Sequence, residues 1–384
     1  MTSIFWINLN RFYKQINKVR SLEVGDVLCK QGFMVNFLCG FKEEKYFNKV
    51  RKMKIRYFKA IDIGGFFRYT LMINMLLWLA KKIKSEDILI VSPGALFIAY
   101  FLKLIKKCNV HLDVRTIPVE VNTIRDHIDY FLFWIIPFKL FKGVPNSFSF
   151  ITELLKQSVE KEFHIFFTDY VIWHSGVNME HFAKVKGSHE READDKFGIT
   201  YIGVISKNRG IDLVLEALSR LKRTYKGNIE FKVIGNGPYL ENLKKMSLGL
   251  GLTEIMDFKG YVQYELVPKY LQDTDCFICP LPDREEWNVS SPIKVFEYLA
   301  CGKPIILTPI AAHKNIVNNK DFIVWTEGDR VEDFVRAIEY AYNNRDLLTE
   351  AAKEAPDFIK EKYDWEVQGK KLADYLKRKY SAAK

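Results

Sequence analysis

The stretch Ser290–Pro304, SSPIKVFEYLACGKP, carries the start and the stop of one helix. Ser290 or Ser291 suits the N-cap, and Pro292 suits the first helical position, where no N–H is needed. Ile293, Phe296 and Ala300 recur at helical spacing; Gly302 is the expected stop, and Pro304 cannot continue the helix. Short apolar runs flank it, Cys276–Leu281 before and Ile305–Thr308 after. Strand, loop, helix and strand in that order make a crossover unit of a parallel sheet. The loop 282–291 then lies at the carboxyl end of its strand, where open α/β sheets bind ligands. The helix start offers unpaired N–H groups and a positive dipole end, which suit a phosphate. Lys294 and Glu297 share one helix face and lean toward that start. A cation for phosphate and a carboxylate for a sugar diol are what a nucleotide pocket needs. The competing reading is a surface Lys–Glu pair on an ordinary helix.

The same rhythm runs through the chain, whose 384 residues suit two domains better than one. Near the start, a strand at Ile4–Leu9, a helix ending about Gln31 and a strand at Phe33–Cys39 open a doubly wound domain. The first loop lacks GxGxxG, so the dinucleotide fingerprint is absent there. Farther on, Val110–Val114 reads as a strand with Asp113, Arg115 and Glu120 at its carboxyl end. These are either substrate-facing charges or a capped loop with a local ion pair. The polar run Lys184–Asp195 reads as an interdomain linker. After it the alternation restarts. Strands at Ile199–Ile205, Ile229–Ile234 and Ile255–Lys259 each run into a glycine-bearing loop, all at the sheet edge that carries the loop 282–291. The division expected is 1–183, 184–360 and a C-terminal helix 361–384 that packs back on the first domain.

A net charge of +11 asks for an anionic partner: nucleotide phosphates, nucleic acid or an acidic lipid surface. No nucleic-acid recognition motif supports the second of these. The basic and aromatic run Phe41–Lys59 is either a solvated edge or a patch for lipid headgroups. His127–Leu140 (HIDYFLFWIIPFKL) is too short to span a bilayer and is interrupted by Pro137. It reads as a buried helix, with attachment to a bilayer surface as the alternative. The six cysteines are scattered among apolar residues and read as free thiols, which places the chain in a reducing compartment, cytoplasmic or peripheral to the membrane's inner face. Cys276 and Cys279 form a CxxC inside a strand, without a second pair to complete a metal site.

Four segments resemble, in order and spacing, the donor domain of retaining glycosyltransferase family 4, of the GT-B fold: YIGVISKNRGIDLVLEALSRL (201–221), FKVIGNGPYLENLKKM (231–246), MDFKGYVQYELVPKYLQDTDCFICP (256–280) and SSPIKVFEYLACGKPII (290–306). The resemblance implies an α/β chain of two doubly wound Rossmann-like domains facing a central cleft. It implies transfer from a UDP- or GDP-sugar to a glycan or lipid-linked acceptor, in bacterial surface polysaccharide biosynthesis. It puts Arg209 and Lys294 on the diphosphate, Glu297 on the ribose, Ser290 and Ser291 toward phosphate, Gly203, Gly235 and Gly237 beneath the nucleotide, and Tyr261 and Val262 against the base. Lys207 is a substitute cation, and Asp113, with Arg115 and Glu120, would position the acceptor. The chain departs from the family pattern at Val289, where a sugar-contacting Glu is expected, and at Val204, where a basic residue is expected. Asp273-Thr274-Asp275 is a DxD ahead of its strand, the wrong edge for a metal under a diphosphate, so neither metal nor cofactor is expected. An epimerase or phosphorylase on the same fold, or an inactive nucleotide-sugar-binding membrane adaptor, are the alternative readings.

Overall fold

The computed structural model describes residues 2–11, 18–40, 51–60, 67–119, 121, 123–183, 196–225, 228–318 and 320–381. Glu120, the linker 184–195 and the segment 41–50 of the basic run lie outside them. The chain divides into two compact units: residues 1–175 with 365–384, and residues 176–364. The division at Ser175/Gly176 falls before the 183/184 boundary expected from the charged run, because Met179–Ala183 packs on the helix Ile293–Ala300 of the second unit.

In chain order the first unit holds β1 (Ser3–Arg11), α1 (Lys18–Lys30), β2 (Met34–Gly40), β3 (Lys54–Phe58), α2 (Phe67–Lys82), β4 (Ile88–Val91), α3 (Leu96–Lys106), β5 (Asn109–Val114), α4 (Ile124–Tyr130), α5 (Ile136–Phe141), β6 (Ser147–Phe150), α6 (Glu153–Phe163) and β7 (Tyr170–Ile172). Its parallel sheet runs β3-β2-β1-β4-β5-β6-β7. The C-terminal helix Trp365–Ser381 belongs to this unit and lies along α1. The two helices approach so closely that a Cβ on Gly369 would come within 2.7 Å of the Val27 side chain. One apolar cluster joins Leu22, Leu28, Trp6, Trp173, Trp365 and Leu376.

The second unit holds α7 (Met179–Ala183), β8 (Phe197–Ile202), α8 (Ile211–Tyr225), β9 (Ile229–Ile234), α9 (Leu240–Gly249), β10 (Met256–Gly260), α10 (Val267–Gln272), β11 (Cys276–Cys279), α11 (Glu285–Asn288), α12 (Ile293–Ala300), β12 (Ile305–Leu307), α13 (Ala311–Val317), β13 (Ile323–Trp325), α14 (Val331–Asn343), α15 (Arg345–Ala351) and α16 (Ala355–Tyr363). The C-terminal helix Trp365–Ser381 is then α17. The order β10-β9-β8-β11-β12-β13 is all parallel. Chain order therefore reverses direction between β8 and β11, which makes that pair of strands the topological switch point. Helical structure after Arg345 is broken at 352–354, ahead of Pro356 in the first turn of α16.

His127–Leu140 corrects the expectation of a buried helix. Helical structure continues from Ile124 to Phe141 through a π-helical turn, Phe131–Ile135. Trp134, Pro137 and Phe138 are buried there, whereas Ile128, Phe131 and Leu140 are exposed. The segment is amphipathic, with a second apolar side facing outward.

Candidate functional site

At the carboxyl edge of the second sheet, three strand ends are joined backbone to backbone. Gly203 N–H donates to Ile234 O (2.9 Å), Gly235 N–H to Gly260 O (2.8 Å) and Ile205 N–H to Asn236 O (3.0 Å). Only glycine fits this approach. A Cβ on Gly235 would sit 1.8 Å from Gly203 O, and one on Gly237 would sit 2.0 Å from Ile205 O. The glycines read from the sequence as backbone-approach positions are therefore where two loops meet. Tyr261, just beyond Gly260, is exposed, and Val262 is half-buried.

Helix α12 starts beside β8, across the switch point. Pro292 is its N-cap rather than its first helical residue. The expected serine cap is displaced because the short helix α11 runs into this segment: Ser290 Oγ donates to Trp287 O (2.7 Å), one turn back. Gly302, at φ +66°, is the stop. Two side chains one turn apart dock α12 on β8. Lys294 Nζ donates to Tyr201 Oη (2.8 Å) and lies 4.0 Å from the centre of that ring. Tyr298 Oη accepts from Ile202 N–H (2.8 Å), and its ring stacks on Phe277 at 4.3 Å. Lys294 thus reaches over Gly203, where a Cβ would come within 2.9 Å of its Nζ.

Glu297 is buried on the same helix. Burial pushes its carboxyl up to about 7, and the nearby Lys294 cation pulls the other way. A carboxyl taken out of water beside a single nearby cation holds its proton near neutrality and loses it when hydrogen-bond donors arrive. Arg209 ends the turn Lys207–Arg209; its Nε donates to Ser206 Oγ (3.1 Å) and its guanidinium lies 4.8 Å from the Trp287 ring. Trp287 Nε1 in turn donates to Asn208 O (3.0 Å), so α11 braces this turn. Lys207 is exposed and Ser291 is buried. Val289, at the end of α11, is buried, so this position presents no carboxylate to a ligand.

Among the described residues, the structure therefore brings Gly203, Gly235, Gly237, Arg209, Ser291, Lys294 and Glu297 to one sheet edge. Sequence reading missed Tyr201, Tyr298 and Trp287. Tyr298 stands four residues after Lys294, a spacing that signals a shared face. The partner of Trp287 lies on a distant loop and left no local signal.

In the first unit, Asp113 and Arg115 sit at the carboxyl end of β5, both buried. Arg115 stacks on Trp173 (3.4 Å to the ring centre) and donates from Nη1 to Trp173 O (2.6 Å). Its charge lies 3.8 Å from Asp113 Oδ1. A buried chain of hydrogen bonds ends on Asp113. Ser149 Oγ donates to Asp113 Oδ1 (2.7 Å); His111 bridges Ser149 (2.9 Å) and Ser147 (2.7 Å); Tyr380 of α17 meets Ser147 Oγ at 2.6 Å. Burial pushes the His111 imidazole down to about 3, so it is neutral and has one N–H. With the Ser149 proton on Asp113, that N–H is on Nε2 and donates to Ser149, while Nδ1 accepts from Ser147. Every donor in the chain then points toward Asp113.

The DxD lies at the opposite edge of its sheet. Asp275 accepts from Gly198 N–H (2.7 Å) and pairs with Arg345 (2.8 Å), tying the start of β11 to β8 and α15. Cys276 and Cys279 are buried in β11.

Two parallel Rossmann-like sheets, one with this glycine-lined edge, are the GT-B architecture. The chain aligns over its whole length with sucrose-phosphate synthase from Thermosynechococcus elongatus (TM-score 0.80, 12% identity, 100% of both chains). It aligns over 98% of its length with Anabaena HepE in complex with UDP-glucose (TM-score 0.76, 11% identity, 100% of that chain). Residues 185–358, nearly all of the second unit, match the family model described as glycosyl transferases group 1. Relatives by sequence include a D-inositol 3-phosphate glycosyltransferase from Geodermatophilus obscurus, 25% identical over half of this chain and 41% of its own length. Another is a GDP-mannose-dependent alpha-(1-6)-phosphatidylinositol monomannoside mannosyltransferase from Mycobacterium tuberculosis, 27% identical over 44% of each chain. The chain thus spans less than half the length of these two relatives.

Proposed function

We propose that the protein transfers a sugar from a nucleotide-sugar donor, a UDP- or GDP-sugar, to a glycan or lipid-linked acceptor of surface polysaccharide assembly, with retention at the anomeric carbon. The observation that carries this reading is the placement of Lys294 and buried Glu297 one turn apart on α12, beside backbone loops that only glycine permits. In it, negative charge develops on the diphosphate as the sugar–oxygen bond breaks. Lys294, Arg209 and the start of α12 stabilise that charge, which calls for no metal. Glu297 accepts from the ribose hydroxyls. The sugar passes through an oxocarbenium-like state, and the leaving phosphate takes the acceptor proton. Asp113, held in one orientation by its hydrogen-bonded chain, positions the acceptor, with Arg115 beside it. These donor types are supported by a relative that is GDP-mannose-dependent and by a structural neighbour in complex with UDP-glucose.

A panel of UDP-, GDP- and ADP-sugars, read as shifts in melting temperature, tests the proposal. At least one is expected to stabilise the protein, and Glu297→Ala to abolish the shift; no response to any of them sinks the reading. The buried Val289 favours one alternative, a nucleotide-sugar-binding protein without turnover. Slow release of nucleotide from the donor in the absence of acceptor argues against it.

The raised carboxyl of Glu297 sets a pH dependence. Without ligand it is largely protonated below about 7, and binding to a diol in the ionised form must release that proton. Donor affinity is therefore expected to rise with pH, by at most about tenfold per unit, and to level off above about 7. Titration of nucleotide binding between mildly acidic and mildly basic buffers checks this. Glu297→Gln should flatten the profile, and an unchanged slope in that variant would place the titrating group elsewhere.

A further inference from the structure

Helices α2, α3 and α5 cover one face of the first sheet, and each carries more apolar surface than that sheet needs. On α2 the inward stripe is Phe67, Leu71, Met75 and Leu79. A second stripe, Tyr69, Ile73 and Leu77, recurs every four residues on the outside, with Leu77 61% exposed. On α3 the outward set is Phe97, Phe101, Leu104 and Ile105; Leu104 is 62% exposed. On α5, Leu140 is 70% exposed. The three helices are neighbours, α2 against α3 and α3 against α5. Phe141 joins Phe97 (6.0 Å) and Tyr100 (5.0 Å), so the outward sets of α3 and α5 adjoin, with the α2 stripe on the neighbouring helix. An apolar face of this extent on a well-formed domain marks an interaction surface.

Its charge says what covers it. Residues 67–84, 96–107 and 131–142 contain nine lysines and arginines and no aspartate or glutamate. Arg68 is held by Asp129, and Lys103 by the Val144 carbonyl. The other seven gather at helix ends: Lys81 and Lys82 close α2 and Lys84 follows it, Lys106 and Lys107 close α3, and Lys139 and Lys142 lie in and just after the last turn of α5. In a parallel sheet with right-handed crossovers these helices run the same way, so their C-terminal ends share one edge. That edge is opposite the one carrying Asp113. The result is an apolar face with a row of lysines along one rim, the pattern of a surface that sinks into the headgroup layer of an anionic bilayer. A second copy of the chain would oppose cations with cations. No helix among the described residues is long and apolar enough to cross a membrane, so the contact lies on the bilayer.

We infer that the outward face of α2, α3 and α5 docks the protein on an anionic phospholipid surface. The inference is independent of the donor chemistry. Flotation of the full chain with vesicles tests it, using phosphatidylcholine alone and phosphatidylcholine mixed with phosphatidylglycerol, at low ionic strength. The protein is expected to float with the anionic vesicles and to be released by high salt. Leu77→Ser/Leu104→Ser/Leu140→Ser, and separately Lys81→Gln/Lys82→Gln/Lys106→Gln/Lys107→Gln, should each weaken partitioning by about tenfold or more. All these positions except Lys106 are exposed, so melting temperatures should stay close to wild type. No flotation of the wild type, or unchanged flotation of both variants, overturns the inference. So does a wild type that stays off vesicles yet forms a dimer by light scattering that the triple serine variant loses.

Discussion

Gly235→Ala should lower the stability of the second unit by about 2–5 kcal/mol, as the sum of a backbone conformation that an L-residue resists and a collision in a packed site. The new Cβ would lie 1.8 Å from the carbonyl oxygen of Gly203. That oxygen cannot swing aside cheaply, because the same residue is tied to Ile234 through its N–H at 2.9 Å. The φ of Gly235, +142°, adds the conformational part. Gly251 separates the two contributions: its φ is +69°, and nothing lies within 4 Å of a Cβ built there. Gly251→Ala should therefore cost only about 1–2 kcal/mol. Urea midpoints for the transition of the second unit, followed through hydrogen exchange of amides in β8, β9 and β11, compare the two. Equal losses would mean that the close approach of the loops contributes nothing.

Lys294→Ala should reduce kcat/KM with a responding nucleotide sugar by about a hundred- to a thousandfold, the usual loss when one preorganised group facing developing oxyanion charge is removed. The ammonium is held by the Tyr201 hydroxyl and ring over Gly203, so it needs little reorganisation when charge develops. Lys294→Arg keeps the charge but not the fit and should recover part of the rate. The alanine variant carries a second signature. Lys294 lowers the carboxyl of Glu297 against the effect of burial, so its removal should move the pH dependence of donor binding toward higher pH. A normal rate with an unmoved profile would remove Lys294 from the donor site.

Most of the strands and the ligand edge were legible because period and punctuation agree there. Ile229–Ile234 is a strand as read, and the loops that follow β8, β9 and β10 carry the glycines their backbone contacts require. What escaped reading was set by contacts between distant residues. Trp287 braces Asn208 from a short helix in a segment read as loop. Tyr380 reaches Ser147 across more than half of the chain. His127–Leu140 misled for another reason: its hydropathy does not say which apolar residues face inward, and packing against α3 and against Phe163 of α6 fixes that. Boundaries were missed where a proline had two compatible roles, as at Pro292.

The place of α17 has a consequence for how the molecule is made. The second unit is one unbroken stretch, residues 176–364, whereas the first needs 365–381 to cover Leu22, Leu28 and Trp173. On the ribosome, the part translated earliest must therefore wait with an apolar flank uncovered while the later part emerges and folds. The order of synthesis and the order of completion run in opposite directions. A stalled nascent chain ending before Trp365 should be the form that engages chaperones and proteases most strongly.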